Sequence, residues 1–478
     1  MTIKQVKKIP ANSSLIFVMD EDVKKHPFFH ALDAKEREYV KSIEKNLKEG
    51  ENVVLLPGGR KAIFMHLPKK FNHRKSITLM RQVIVTAKSN KLKNIAVDMD
   101  DFLTGEKDFD KILPRVAAME FEIANFEFVK YKTPPKGGWN FIENVLVFDG
   151  KDATGALREG KIIGEEINKT RELSNTPGGD MTPEVLAKAA TAAGKKSGFK
   201  VKILNENEIE KLGMGGILGV ARGSSEKPKF IIMEYLKGGK EKPIVLVGKG
   251  VTFDSGGLNL KPSSGIYEMH MDMSGGAAVI RILAAAARLK LKKNIIGIVP
   301  AVENMPSGSS YHPGDLLKTM SGKTIEVLNT DAEGRVILAD ALHYAKRYKP
   351  QLVIDIATLT GAAMVALGQR ASAIFSTDEK FVEKMQESGE LAGDYVWPLP
   401  LWEEYEEDIK GTFGDVANDA KTRYGGTITA AAFLWQFIKG TPWVHIDMAP
   451  RMTSIDGEYL AKGAAGSPVP LLLQFLCQ

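Results

Sequence analysis

Residues 328–340 read LNTDAEGRVILAD, and the chain is best understood outward from this stretch. A β-branched run at 324–327, TIEV, precedes it, and a helix-like pattern over 336–348 follows it. Asp331 and Glu333 stand between the two. In an extended segment residues two apart point to the same side, so both carboxylates would face one point. Adjacent carboxylates repel each other unless a cation lies between them, and the pattern therefore favours a metal site.

An acidic first helical turn is the alternative explanation of the same two residues. A helix over 336–348, stopped by Pro350, would favour carboxylates at its amino end through its macrodipole. The motif by itself supports the two explanations equally.

The length of 478 residues predicts two domains, and 44% hydrophobic with 26% charged residues is typical of a soluble globular protein. No apolar run reaches the roughly 18 residues of a membrane span, and the run at 15–19 is too short for a signal peptide. We therefore expect a cytoplasmic protein with no membrane partner. The single cysteine, Cys477, excludes an internal disulfide, and its place one residue from the end argues against a catalytic nucleophile.

The net charge of +6 comes from the first third of the chain. Residues 1–150 contain 26 Lys and Arg against 20 Asp and Glu, so of the totals of 65 and 59 the remaining residues hold 39 of each sign. The excess is modest and dispersed, which favours a solvated surface, and DNA binding remains the alternative.

Hydrophobic periodicity predicts an α/β fold with two domains. A small amino-terminal α/β domain covers 1–150, a connecting helix covers 151–175, and a larger α/β catalytic domain covers 176–478. In the first domain we predict strands over 14–19, 52–57, 94–99, 126–131 and 144–148, and helices over 33–50, 77–89 and 113–125, with a hairpin at Gly58-Gly59.

Short all-apolar runs in the second domain, such as PIVLVG and NIIGIVP, indicate strands buried on both faces and hence a central, mostly parallel sheet. The predicted strands are 200–204, 229–235, 244–247, 294–300, 324–328, 352–356 and 443–447, with helices from 183 and over 275–289 and 336–348.

Ionisable residues follow buried strands at three places in this domain: Lys249 and Asp254 in VGKGVTFDSGG, Asp272 in EMHMDMSGG, and Asp331 with Glu333. Ligands bind at the carboxyl edge of open α/β sheets, and the surrounding glycines let the backbone approach a ligand closely. A phosphate-binding loop is the alternative for VGKGVTF, but the spacing of a P-loop is missing.

Four segments, in this order, resemble the leucyl aminopeptidase (cytosol aminopeptidase) family over about residues 160–450. They are VGKGVTFDSGGLNLKP, the Asp272 segment, ENMPSGSSYHPGDLLKTMSGKTIEVLNTDAEGR and DIATLTGA. The resemblance implies a dinuclear metallo-exopeptidase with two divalent ions per subunit, Mn or Zn. It places one tightly bound ion on Lys249, Asp254, Asp272 and Glu333, and an exchangeable one on Asp254, Asp331 and Glu333. It also implies catalytic roles for Lys261 and Arg335, with bicarbonate at Arg335, and a side-chain pocket at Met269, Thr358, Leu359 and Gly361.

Charge balance is consistent with that chemistry. Two divalent ions neutralise the four carboxylates, which leaves Lys261 and Arg335 as surplus cations for a carbonyl oxygen that becomes an oxyanion. A free substrate amine can ligate a metal, which explains action on amino-terminal residues.

The expected function is therefore removal of amino-terminal residues, preferably bulky apolar ones such as leucine, from peptides by a homohexamer. A dipeptidase or Cys-Gly hydrolase with the same site, and an additional DNA-binding role, are the alternatives. Two departures from the family pattern bear on the site. His270 is either an outer ligand or a supporting or surface residue, and Pro450-Arg451 puts the shape of the specificity pocket in question.

Overall fold

The structure is a computed structural model that describes residues 1–19, 22–47 and 50–478. It divides into two compact units. The first contains residues 1–168 and 455–461, and the second contains 169–454 and 462–478. The division at 168 lies inside a helix, Thr154–Asn175, which corresponds to the predicted connecting helix.

The first unit is a sheet with helices. Its strands are β1 (Thr2–Val6), β2 (Ser14–Met19), β3 (Glu51–Leu55), β4 (Lys61–His66), β5 (Asn94–Asp98) and β6 (Asn144–Phe148). Its helices are α1 (Pro27–His30), α2 (Ala34–Ile43), α3 (His73–Ser89), α4 (Lys107–Ala124) and the first part of α5 (Thr154–Asn175). The strand order is β1-β6-β5-β2-β4-β3, with all neighbours parallel except the β3–β4 hairpin.

Two sequence predictions for this unit need correction. The helix predicted over 33–50 ends at Ile43 and is followed by a 3-10 turn at Glu44–Asn46, while Lys48 and Glu49 lie outside the described residues. The strand predicted over 126–131 is wrong, although aromatic and β-branched residues match its pattern. The amide of Asn125 instead donates to Ile142 O and accepts from Ile142 N, each at 2.9 Å, and so joins the two ends of an irregular loop.

The second unit contains the larger sheet and most of the helices. Its strands are β7 (Lys200–Leu204), β8 (Lys229–Leu236), β9 (Ile244–Gly248), β10 (Gly250–Asp254), β11 (Asn294–Asn304), β12 (Leu316–Lys318), β13 (Thr324–Glu326), β14 (Leu352–Ala357), β15 (Ser372–Ser376), β16 (Val396–Pro398), β17 (Val416–Ala417) and β18 (Trp443–Asp447). Its helices are α6 (Pro183–Ser197), α7 (Glu206–Lys211), α8 (Gly215–Ala221), α9 (Ser263–Ile266), α10 (Ser274–Leu289), α11 (Glu333–Ala345), α12 (Gly361–Leu367), α13 (Glu379–Ala392), α14 (Gly426–Ile438) and α15 (Val469–Cys477).

The central sheet has the order β16-β15-β18-β14-β9-β11-β8-β7, with β10 beside β11. The middle strands β18, β14, β9 and β11 are parallel, whereas β15, β8 and β7 pair antiparallel with their inner neighbours. A small sheet, β12-β13-β17, lies off this main one. The predicted fold class, two α/β domains with a mostly parallel catalytic sheet, is confirmed.

Helices pack against the central sheet in two groups. Helix α10 contacts β9, β11 and β14 and packs with α6 and α15, while α11 contacts the same strands and packs with α8 and α14. Val245, Val247 and Ile298 of the sheet and Ile337 of α11 belong to one fully buried apolar core. Burial on both faces explains why the middle strands read as unbroken apolar runs.

Among the helices of the described chain, none combines the length and the apolar character that crossing a bilayer requires.

Candidate active site

The carboxylates of Asp331 and Glu333 lie at the start of a helix. Glu333 is the first residue of α11, and Asp331 lies in the turn that precedes it, so the extended geometry expected for this pair is wrong. The turn is held by side chains. Asn329 Oδ1 accepts from Asp331 N at 2.9 Å, and Asn259 Oδ1 accepts from Thr330 N at 2.9 Å. The acidic helix start expected from the sequence is therefore present, and it faces further carboxylates, as a metal site would require.

Asp254, Asp272 and Glu333 form a buried cluster. One potential ligand atom from each lies within 4.8 Å of the others, and their exposed fractions are 2%, 2% and 1%. Asp254 ends β10, as the carboxyl-edge rule predicts. Asp272 does not follow a strand, because a 3-10 helix at Met269–Met271 precedes it and α10 begins two residues later.

Lys249 stands between β9 and β10 and reaches into this cluster. Its Nζ lies 2.9 Å from Asp272 Oδ2 and 2.8 Å from Glu333 Oε1, and it donates to Thr358 O at 3.0 Å. Gly334 makes room for it, because a Cβ added there would lie 2.6 Å from Nζ. The side chain of Lys249 therefore requires glycine at position 334.

Lys261 brings the fourth carboxylate to the site. Its Nζ lies 2.9 Å from Asp254 Oδ2 and 2.5 Å from Asp331 Oδ1. All five predicted metal ligands and Lys261 thus lie in one connected network. Nothing in the sequence spacing required this, since Lys249 and Glu333 are separated by more than 80 positions.

The donor set fits divalent cations. Four carboxylates face two lysines, and within residues 1–19, 22–47 and 50–478 no hydrogen-bond donor reaches the buried Oε2 of Glu333. A buried carboxylate oxygen without a donor is costly unless a cation approaches it. Carboxylate oxygens with one amine nitrogen suit hard or borderline divalent ions.

Burial and crowding shift the titration of the site. Burial together with repulsion from Asp254 raises the pKa of Glu333 to about 8 and that of Asp272 to about 6, although Lys249 opposes both shifts. Burial and the charge of Asp254 also raise the pKa of Asp331. Burial opposes the charge of Lys249, but Asp272, Glu333 and Asp254 outweigh it and raise the pKa of the lysine. Without a metal, protons and ammonium groups balance the carboxylates.

Arg335 lies on α11, two residues after Glu333, and is 7% exposed. Its Nη1 donates to Asn418 O at 2.9 Å, and no acceptor among the described residues reaches its Nε. Burial lowers the pKa of Arg335, although Asp419 and Glu333 oppose the shift. A buried guanidinium with an unused donor is suited to bind an anion or a developing negative charge.

Two supporting residues, Asn304 and Tyr311, escaped the sequence analysis. Asn304, the last residue of β11, donates through Nδ2 to Asp254 Oδ1 at 2.8 Å and to Thr330 O at 3.0 Å. Tyr311 OH also donates to Thr330 O at 2.7 Å. These bonds join the turn that carries Asp331 to the strand that carries Asp254. The position of Asn304 after a buried strand was a signal that the carboxyl-edge rule could have used.

The residues predicted to line a side-chain pocket have different environments. Thr358 is buried, and its Oγ1 donates to Asp272 Oδ1 at 2.6 Å, so it supports a carboxylate. Leu359 is half-buried against the main core, and Gly361 is exposed with open space where a Cβ would stand. Met269 is half-buried against a cluster of Met271, Met452 and Ala464.

The two departures from the family pattern lie near these residues. His270 is half-buried in the 3-10 helix Met269–Met271 and is absent from the carboxylate group within 4.8 Å. Burial lowers the pKa of His270, which favours its neutral form. Pro450 and Arg451 are buried in the 3-10 helix Ala449–Arg451, and Arg451 Nη1 donates to Gln369 O at 2.9 Å.

A second group with ligand-like spacing, His26, Asp98 and Asp101, lies in the first unit. Its histidine already has a structural role. Nδ1 of His26 accepts from Phe28 N at 3.1 Å as the cap of α1, so the ring proton lies on Nε2 and faces Asp101 Oδ1 at 3.0 Å. Burial and repulsion from Asp101 raise the pKa of Asp98 to about 7, so a proton can neutralise it. We explain this group without a metal ion.

Lys249 follows β9 and Asp254 ends β10, so the site lies at the carboxyl edge of the central sheet, as in other α/β enzymes, and its buried carboxylates fit a metal-dependent one. Comparison with known proteins gives the family. The model of the cytosol aminopeptidase family, catalytic domain, matches residues 168–473. The chain belongs to the cytosol aminopeptidase family, which confirms the resemblance, and is therefore a metal-dependent aminopeptidase, an exopeptidase of the hydrolase class.

Individual relatives agree with this assignment. A probable cytosol aminopeptidase of Aromatoleum aromaticum is 45% identical over 395 residues, which cover 81% of this chain and 78% of the relative. One from Mannheimia succiniciproducens is 38% identical, covering 99% of this chain and 98% of the relative. Among solved structures, the bottromycin maturation enzyme BotP in complex with Mn has a TM-score of 0.84 and 29% identity, covering 98% of this chain and 99% of that one.

Proposed function

We propose that this protein is a two-metal aminopeptidase that removes the amino-terminal residue of peptides and prefers bulky apolar residues such as leucine. The observation that supports this proposal is the network of four carboxylates and Lys249. A second cation, Lys261, contacts two of these carboxylates, Asp254 and Asp331. Arg335 follows on the same helix as Glu333. This set matches both the charge of two divalent ions and the need for additional positive charge near the reacting carbonyl.

Particular residues would hold each ion. Lys249, Asp254, Asp272 and Glu333 would hold the tightly bound ion, and Asp254, Asp331 with its own carbonyl, and Glu333 would hold the exchangeable one. When bound, two such ions supply Lewis acidity and lower the pKa of water enough for nucleophilic attack near neutral pH. Mn or Zn suits the oxygen-rich donor set, and the solved BotP structure contains Mn.

The cationic side chains act on the substrate. Lys261 is partly accessible, with 16% of its side chain exposed, and would leave its carboxylate partners to polarise the scissile carbonyl. Arg335, whose Nε meets no acceptor among the described residues, would hold an anion such as bicarbonate that accepts and returns a proton during cleavage. Asn304 and Thr358 hold Asp254 and Asp272 in place, so the carboxylates need not reorganise during the reaction.

Acetylation of the substrate amine tests the proposed function most directly. We expect leucine amide and leucyl peptides to be hydrolysed, and their N-acetyl forms to be cleaved at least about 100-fold more slowly, because a blocked amine cannot ligate a metal. The measurement is kcat/KM for matched free and acetylated substrates after loading with Mn or Zn. Equal rates on both forms would rule out the exopeptidase proposal. Cys-Gly and other dipeptides in the same series would reveal a dipeptidase.

Metal affinity should depend on pH in a defined direction. Divalent ions bind the ionised carboxylates, whereas protons compete below the pKa values of Glu333, about 8, and Asp272, about 6. Affinity should therefore fall as the pH is lowered from about 8 to about 6, by up to about tenfold per unit for each displaced proton. Calorimetric titration of metal-free protein in buffers of different ionisation enthalpy measures both affinity and proton release. A pH-independent Kd without proton release would contradict these shifts.

The assembly and cellular location stay proposals. We expect a homohexamer in the cytoplasm on the family resemblance, and light scattering of the full chain at several concentrations measures the assembly. We regard DNA as the less favoured partner. A mobility shift with duplex DNA that weakens steeply with salt would support it.

A further inference from the structure

Asp447, the last residue of β18, is a buried carboxylate that the roles above do not use. It is 0% exposed, and five donors surround it. Oδ1 accepts from Leu359 N at 3.1 Å, Thr360 N at 3.4 Å and Ala449 N at 3.2 Å. Oδ2 accepts from Thr360 Oγ1 at 2.7 Å and Thr427 Oγ1 at 3.1 Å.

These donors come from three segments that meet beyond the sheet. Leu359 and Thr360 follow β14, Ala449 begins the 3-10 helix after β18, and Thr427 lies in the first turn of α14. Thr360 also caps α12, since its Oγ1 accepts from Ala363 N at 3.1 Å. One carboxylate therefore sets the relative positions of three otherwise irregular connections.

The segment 358–361 connects Asp447 to the proposed chemistry. At its start, Thr358 O accepts from Lys249 Nζ at 3.0 Å and Thr358 Oγ1 donates to Asp272 Oδ1 at 2.6 Å. Leu359 and Gly361 of the same segment are two of the residues that the family resemblance implies for the side-chain pocket. The segment is thus held at one end by the carboxylate cluster and at the other by Asp447.

The number of acceptor sites on Asp447 explains why a carboxyl group stands there. No ion pair within 4.0 Å involves Asp447 in the described part of the chain, and neutral backbone amides and hydroxyls supply its hydrogen bonds. A carboxylate has about four lone-pair sites, whereas an amide has one acceptor oxygen. Replacing it leaves buried N–H groups without acceptors, which segment 358–361 can relieve only by moving.

We propose that Asp447 is a positioning residue that determines side-chain preference by fixing segment 358–361 beside the carboxylate cluster. The inference rests on the proposed aminopeptidase function. Asp447 does not touch the substrate. It acts through Leu359 and Thr360, whose backbone N–H groups it holds.

The kinetic test uses Asp447→Ala and Asp447→Asn at saturating metal with leucine amide and alanine amide. We expect Asp447→Ala to reduce the leucine-over-alanine ratio of kcat/KM by about tenfold, mostly through KM for leucine amide, because apolar pockets discriminate by contact. In Asp447→Asn the side-chain oxygen can still accept from the backbone N–H groups, and the side-chain NH2 can donate to the threonine hydroxyl oxygens. The leucine-over-alanine ratio of kcat/KM should therefore stay within about threefold of the wild-type ratio. A wild-type ratio in Asp447→Ala would overturn the inference.

Asp340→Ala is the matched control for loss of a buried carboxylate. Asp340 is also 0% exposed and accepts backbone bonds, from Met320 N at 2.8 Å and Ile217 N at 3.1 Å, but it faces α8 and the β12 region. The control variant should lower the midpoint of thermal unfolding without changing the leucine-over-alanine ratio of kcat/KM. A change of equal size in Asp340→Ala would show that the effect of Asp447→Ala is general destabilisation and would overturn the proposal.

Hydrogen exchange separates this inference from the proposed function, because it needs no hydrolysis. The amides of Leu359 and Thr360 should lose protection in Asp447→Ala by about tenfold or more relative to Asp340→Ala. Unchanged protection at these two amides would refute positioning by Asp447, whatever the enzyme cleaves. If wild type hydrolysed neither amide, the proposed function would fail, and the proposed preference role of Asp447 would be overturned with it.

Discussion

Replacing Glu333 with alanine is expected to abolish peptide hydrolysis and to remove metal from the protein at the same time. Glu333 is 1% exposed at the centre of the carboxylate cluster and is the ligand proposed to serve both ions. Loss of a residue that only supports a metal ligand lowers metal affinity by roughly 10- to 100-fold, and loss of Glu333 itself should lower it by more. Asp272→Ala should behave in the same way. Glu333→Gln, which keeps the shape, should share the metal loss and so exclude a cavity effect.

The cationic variants form the contrast. Lys261→Ala and Arg335→Ala should retain most of the metal and lose about 10²- to 10³-fold in kcat, because these groups stabilise charge that develops during the reaction. Elemental analysis of the dialysed variants, with kcat and KM at saturating metal, distinguishes the two classes. Metal loss in Arg335→Ala as large as in Glu333→Ala would mean that the roles are misassigned. Full activity of the wild type in excess chelator would refute a metal requirement.

Replacing Lys249 with arginine is expected to damage the tight metal site at least as severely as replacing it with alanine. A lysine can ligate a metal only as the neutral amine, yet the surrounding carboxylates raise the pKa of Lys249 and keep it charged in the metal-free site. The metal must therefore displace a proton. Arginine cannot lose its proton in a protein, and its fixed charge would repel the ion.

Space strengthens this expectation. Lys249 Nζ already lies 2.8 Å from Glu333 Oε1 and 2.9 Å from Asp272 Oδ2, so the larger guanidinium would crowd both carboxylates. Lys249→Met is the control that keeps the length and removes the charge, and it should bind the tight ion more strongly than Lys249→Arg. Metal titration of the metal-free proteins measures this order. Two ions bound with wild-type affinity by Lys249→Arg would show that Lys249 is not a ligand.

Much of the fold follows from local pattern. The middle strands β9, β11, β14 and β18 are buried on both faces, so their apolar runs were recognisable without any partner. Short outer strands were not predicted, and β15 and β16 are examples. β16 has only three residues, which is too short for a period to be read.

The sequence by itself determined which residue types the site contains and which family the chain belongs to. Lys249 and Asp254 follow directly from the rule that ligands bind at the carboxyl ends of buried parallel strands, because strand and ligand residues are neighbours in the chain. The dense motif around Asp331, Glu333 and Arg335 was recognisable for the same reason. The assigned roles of these residues stay predictions.

Only the tertiary structure decided the arrangement of these residues and their support. The bonds of Asn304 to Asp254 and of Thr358 to Asp272, and the donors around Asp447, join positions from 2 to 88 residues apart. The same carboxyl-edge rule, applied to the end of β18, would have named Asp447, but not its partners. Local periodicity reports which face of an element is buried, whereas the packing of strands and helices decides which distant side chains share that buried space.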